Sequence, residues 1–91
     1  MTETLQLTGR LDLPAAGPLH DQLGPMIGKS IILDMASVSH IGALCLQTLI
    51  AASRATQAQG GTLDLINTPD QLIAQLSAMG SSPEQISKGQ K

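Results

Sequence analysis

Apolar residues along this chain follow two different spacings, and the first of them predicts β-strands. In the first thirteen residues they recur at every second position, at Leu5, Leu7, Leu11 and Leu13. This is the period of a half-buried strand, and Gly9 marks a bulge or tight bend that divides the run into two short strands. Residues 30–35 contain three consecutive apolar residues, typical of a central strand covered on both faces. Residues 62–66 predict a fourth strand.

The second spacing is helical, and it occupies the segments between the strands. A first helix is expected from about Pro14 to 27, a second over 43–59 and a third over 69–79, each ended by glycine. The order is therefore β-β-α-β-α-β-α. It predicts an α/β fold with a four-stranded mixed sheet and three to four helices. We expect one domain over residues 1–80. The polar segment 81–91 is expected to be a mobile tail, with a turn of helix over 83–87 as the alternative.

Composition excludes several classes of function. The 91 residues include no aromatic side chain, 13% are charged, and the net charge is −2. Such a chain lacks the basic surface of a nucleic-acid binder and the stacking platforms that bases or flavins need. It also lacks an apolar run of membrane-spanning length and the pattern of a signal peptide. We therefore expect a cytoplasmic protein without nucleic-acid binding or direct membrane insertion.

Candidate catalytic groups are few. Cys45 lies five residues after His40 at a predicted helix start, an arrangement that can lower a thiol pKa. A small Cys/His enzyme is the resulting alternative, whereas the common role of such a cysteine is a small buried apolar side chain. Asp34 ends the central strand and is either a Mg²⁺ or phosphoryl ligand or, as we favour, a cap of the following backbone. Phosphate-loop motifs and metal-ligand spacings are absent, so we predict no catalytic residue, metal or cofactor.

One segment carries a family resemblance. It reads Leu-Asp-Met-x-x-Val-x-x-Ile over residues 33–41, followed by a helix and by Gly-Gly-Thr-Leu-Asp-Leu over residues 60–65. With the order of elements, it resembles the STAS domain of bacterial anti-sigma-factor antagonists and sulfate-transporter tails, over about residues 3–80. The resemblance implies a non-enzymatic module that binds a protein partner.

The chain departs from the STAS pattern at the position where antagonists are phosphorylated. The family's Asp-Ser-Ser/Thr-Gly is here Gly42, Ala43, Leu44 and Cys45. Neither hydroxyl position, Ala43 nor Leu44, carries an oxygen, so the resemblance implies no phosphorylation at the usual site.

Two STAS subgroups suggest different partners. Residues 42–47 are similar to stand-alone STAS proteins encoded with bacterial chemotaxis components, which implies an adaptor for a histidine kinase or another signalling protein. The alternative subgroup is the cytoplasmic STAS subunit of a lipid-transport ABC ATPase, which normally keeps Asp-Thr-Gly-Gly at this loop. Further alternatives are an anti-sigma-factor antagonist without phospho-control and the small Cys/His enzyme; a homodimer also remains open.

Helical geometry identifies a candidate docking surface. Leu44 lies about 200° around the second helix from Leu46, so it faces outward if Leu46 faces the sheet. The alternative is an ordinary exposed leucine, of which protein surfaces have many. The predicted partner-binding residues are His40, Ile41, Gly42, Ala43, Leu44 and Gln47.

Overall fold

The computed structural model describes residues 2–89, except for the side chains at positions 2, 13, 15 and 16. The elements follow the chain as β1 (Thr2–Leu11), α1 (Leu13–Leu23), a 3-10 turn (Gly24–Met26), β2 (Ser30–Ile41), α2 (Ala43–Ala58), β3 (Leu63–Ile66), α3 (Asp70–Ala78) and α4 (Pro83–Ser87). The predicted α/β class is therefore confirmed. No helix within these residues has the length and hydropathy needed to span a bilayer.

The sheet has three parallel strands in the order β1-β2-β3. Each strand lies beside the one before it, and right-handed crossovers then place α1 and α2 on the same face. The two helices pack against each other, as this arrangement requires. The prediction of a four-stranded mixed sheet is wrong for the described residues, in which a single strand precedes α1.

Gly9 explains the error in strand number. It adopts a left-handed φ of 74°, and the register between β1 and β2 shifts between Gln6 and Thr8 and again between Gly9 and Arg10. Glycine takes this conformation at little cost, and at each shift β2 advances by one residue more than β1, so the pairing continues past Gly9. Both halves of β1 stay paired with β2, and the predicted break between two strands does not occur.

β2 is longer than its apolar run indicates. The apolar run predicts a strand over residues 30–35, yet β2 continues to Ile41. On one side the last residues of β1 pair with it. On the other side α3 takes the place of a strand: the Ile41 N–H donates to Gln75 Oε1 (2.9 Å), and Gln71 Nε2 donates to the Ser39 carbonyl (3.4 Å). These two bonds give partners to the Ile41 N–H and the Ser39 carbonyl on the edge of β2 beyond the end of β3.

Within the part of the chain that the structure describes, helices cover one face of the sheet. Ile31, Leu33 and Met35 point into the core and are fully buried, whereas Ile32, between them, is partly exposed. The prediction that this strand is covered on both faces is therefore wrong. A sheet whose strands follow in chain order places every right-handed crossover on one side and leaves the other side open.

The segment after residue 80 is part of the packed structure up to residue 89. Pro83–Ser87 form α4, in which the Ser82 side chain accepts a hydrogen bond from the Gln85 N–H (3.1 Å). Ile86 is 0% exposed and belongs to the main hydrophobic core. The structure therefore has the alternative given for this segment, a turn of helix over 83–87, in place of the mobile tail expected from residue 81, because one apolar side chain anchors an otherwise polar segment. Residues 90 and 91 lie outside the described part.

Candidate functional site

The start of α2 lies beside the carboxyl ends of β1 and β2. Gly42 is the N-cap residue, in extended conformation and without a side-chain cap, and its N–H donates to the Leu11 carbonyl (2.7 Å). A Cβ at Gly42 would lie 3.5 Å from that oxygen, an ordinary contact. The fold therefore has room for a Cβ at position 42.

Leu44 faces outward, as its angular position on the helix predicts. It is 49% exposed, the largest value among the exposed large hydrophobic residues, while Leu46 is buried. Ala43 and Gln47 are also exposed. The structure therefore brings Ala43, Leu44 and Gln47 together on one surface, which we call the α2 start surface.

Two of the predicted partner-binding residues, His40 and Ile41, do not share the exposed environment of Leu44. Ile41 is 2% exposed and belongs to the core, because β2 continues through it and turns its side chain inward. Its expected place on the exposed surface is therefore wrong. His40 is partly exposed and lies opposite Arg10 in the register of β1 and β2. Gly42 is partly exposed at the N-cap of α2, next to Ala43 in the chain.

An apolar groove continues from this surface between α1 and α2. It has a volume of about 260 Å³ and is lined by His20, Leu23, Gly24, Ile27, Thr48, Ala51, Ala52 and Ala55. The Thr48 hydroxyl donates to the Leu44 carbonyl (2.9 Å), so this hydroxyl is already satisfied within the helix. α2 has one charged residue, Arg54. The exposed side of α2 from Leu44 to Ala55 therefore carries mostly small side chains and almost no charge.

Cys45 does not have the environment of a nucleophile. It is 0% exposed, and its thiol donates to the Asp12 carbonyl (3.3 Å). Burial raises the pKa of Cys45, and the negative charge of Asp12 raises it further. Among the described hydrogen bonds, none joins Cys45 to His40. The geometry therefore favours a small buried side chain over the Cys/His pair.

Alkylation of the folded protein tests this assignment of Cys45. Because the thiolate is the reactive species and both burial and the raised pKa suppress it, labelling by iodoacetamide at pH 7 should be at least ~100-fold slower than that of free cysteine. Mass spectrometry over time measures the rate. Labelling in urea serves as the control and should reach the free rate. Fast labelling of the folded chain would instead support the Cys/His enzyme.

Asp34 caps the backbone, as we favoured. Its Oδ1 accepts from the Ala36 N–H (3.1 Å) and from Asn67 Nδ2 (3.4 Å). Asn67 has a left-handed φ of 56° and follows β3 directly. The carboxylate thus joins β2 to the turn after β3. Within residues 2–89, no three His, Cys, Asp or Glu side chains come together as a metal site.

Comparison with known proteins identifies a family for most of the chain. The family model described as "Mlab, STAS domain" matches residues 2–82, which is most of the chain and ends just before α4. A search of the curated proteins finds no match. STAS domains are generally binding modules rather than enzymes.

Proposed function

The chain belongs to the STAS domain family, and from that premise we propose that it is a non-enzymatic module that docks a protein partner through the α2 start surface. Leu44 carries the proposal. A half-exposed leucine stands at the tip of a helix whose outer face continues as an apolar groove. Partner side chains that cover this leucine would gain affinity by removing apolar surface from water.

We further propose that this contact does not depend on phosphorylation at the start of α2. Residues 42–45 have no hydroxyl group that could accept a phosphoryl group. The nearby Thr48 hydroxyl is engaged within its own helix. An apolar contact needs no added charge to form, so the docking would be constitutive.

A signalling protein is the proposed partner, in particular a histidine kinase of a chemotaxis system, with the module acting in the cytoplasm. Support comes from residues 42–47, whose Gly-Ala-Leu-Cys-Leu-Gln form is similar to that of the chemotaxis-associated STAS proteins. The exposed residues of this segment are those on the α2 start surface.

Co-purification from native lysate, with the bound protein identified by mass, tests the proposed function. The wild-type chain should retain a signalling kinase, and the Leu44→Asp variant should not. An ABC-type ATPase retained in its place would assign the chain to the lipid-transport subgroup. An anti-sigma factor would assign it to the antagonists. Equal retention of any of these by both variants would contradict docking through Leu44.

A further inference from the structure

The two edges of the sheet are protected unequally. β3 has four residues, and α4 packs beside it. β1 has ten residues and forms the opposite edge. From Thr4 to Thr8 it carries neither a charged residue nor a proline, two of the features by which edge strands avoid pairing with other chains. A crevice of about 170 Å³ lies between β1 and α1, lined in part by the exposed residues Gln6 and Gln22.

The hydrogen-bond phase of the sheet determines which backbone groups of β1 face outward. The Ile31 N–H donates to the Thr62 carbonyl (2.7 Å), so Ile31 directs its backbone groups toward β3 and Ile32 directs its own toward β1. Ile32 is in register with Thr4 and bonds to the residues on either side of it. The N–H and C=O groups of Thr4, and by alternation those of Gln6, therefore point away from β2. Within residues 2–89, none of the backbone hydrogen bonds outside helices and strands reaches these groups.

The outer side of β1 is complementary to itself when two copies run antiparallel. With Gln6 opposite Gln6 of the second copy, these two residues exchange both N–H···O bonds. Thr4 then lies opposite Thr8, and Leu5 lies opposite Leu7. Because side chains alternate between the two faces, the leucine pairs stay on the core face and the threonine pairs stay on the open face. Such matched pairs directly across two strands stabilise a sheet.

The charges at the ends of the neutral stretch favour this second copy and this direction. Glu3 precedes the stretch and Arg10 follows it. Antiparallel pairing about Gln6 places Arg10 of the second copy opposite residue 2, next to Glu3, so opposite charges lie close at both ends. A parallel pairing in register would place Glu3 beside Glu3 and Arg10 beside Arg10, and like charges directly opposite each other are destabilising.

We propose that two copies of this chain associate through β1 and form a continuous six-stranded sheet with a twofold axis at Gln6. The axis is perpendicular to the sheet, so the helices of both copies lie on the same face. The interface is isologous, since each contact occurs twice. It is separate from the α2 start surface, because Leu44 lies on α2 and takes no part in the pairing of β1.

Sedimentation equilibrium of the full chain at increasing concentration tests the proposal. At ~500 µM, a concentration chosen because small interfaces bind weakly, the mass should approach twice the 9.4 kDa of the monomer. Gln6→Pro removes the outward N–H from both copies and should raise the dissociation constant by about tenfold or more. Gln6→Lys places two like charges at the axis and should raise it by about fivefold or more.

Two control variants locate the interface. Thr62→Lys introduces the same charge at an exposed residue beside the other edge of the sheet, and Leu44→Asp alters the α2 start surface. Both should dimerise as the wild-type chain does. Circular dichroism confirms that each variant is folded, and Gln6→Lys decides the result if the proline variant is not. A wild-type chain that stays monomeric at ~500 µM, or a folded Gln6→Lys variant that dimerises like wild type, would overturn the proposal.

Disulfide crosslinking tests the register of the pairing. In a hydrogen-bonded antiparallel pair the Cα atoms lie about 5.5 Å apart, within the range that a disulfide spans. Oxidation of a Gln6→Cys variant should therefore yield covalent dimers, whereas Thr62→Cys should not, and the native Cys45 is buried. Covalent dimers in equal amount from both variants would contradict a twofold axis at Gln6.

Discussion

Replacing Ile86 with alanine is expected to lower the free energy of unfolding by about 2–3 kcal/mol, within the range for truncating a fully buried isoleucine. The side chain is 0% exposed, and its loss would leave a cavity between α4 and the main core. The value lies at the lower end of the range because α4 is short, so the loss of the Ile86 side chain removes few other packing contacts. Urea denaturation followed by circular dichroism measures the change.

Ile73→Ala is the matched control for Ile86→Ala. Ile73 is 40% exposed on α3, so the same truncation there removes less buried surface and should cost less than about 1 kcal/mol. If the Ile86 variant is no less stable than the Ile73 variant, residues 81–89 do not contribute to the fold, and the expectation of a loose tail from residue 81 would be reinstated.

Leu44→Asp is expected to weaken partner binding by ~100-fold or more, because it removes an apolar anchor and places an unpaired charge in the contact. The free energy of unfolding should change by less than about 1 kcal/mol. The residue is 49% exposed, and an acidic side chain in the first turn of α2 interacts favourably with the helix dipole, which offsets the lost contacts.

Affinity for the identified partner by calorimetry, and stability by thermal denaturation, separate a surface role from a core role for Leu44. Ile73→Asp is the control, since it introduces the same charge at a similarly exposed apolar residue on another helix. It should leave affinity within about threefold of wild type. A loss of stability that matches the loss of binding in Leu44→Asp would show that Leu44 is a structural residue.

Local signals in the sequence were sufficient to place α2. α2 was expected over 43–59 and spans Ala43–Ala58. Its apolar spacing indicates a helix and the Gly-Gly after it ends the helix, and both signals depend on residues close together in the chain. The outward direction of Leu44 follows from the same helix geometry, which is why this part of the site was predicted from the sequence.

Contacts between residues distant in the chain account for the errors. β2 continues beyond its apolar run because Gln75, 34 residues later, accepts a hydrogen bond from the Ile41 N–H. Glutamine on a polar helix face has no sequence signal for this role, so the burial of Ile41 was missed. Ile86 was missed for a related reason: a single apolar residue has no periodicity, and its burial depends on α2 and β3.

A photo-crosslinking amino acid placed at position 44, with a matched chain carrying it at position 73, tests the central claim most directly. In cells that contain the natural partner, irradiation should join position 44 to one protein, a signalling kinase by mass, and leave position 73 without that adduct. Adducts to the same protein in equal amount from both positions, or from position 73 alone, would contradict docking through the start of α2.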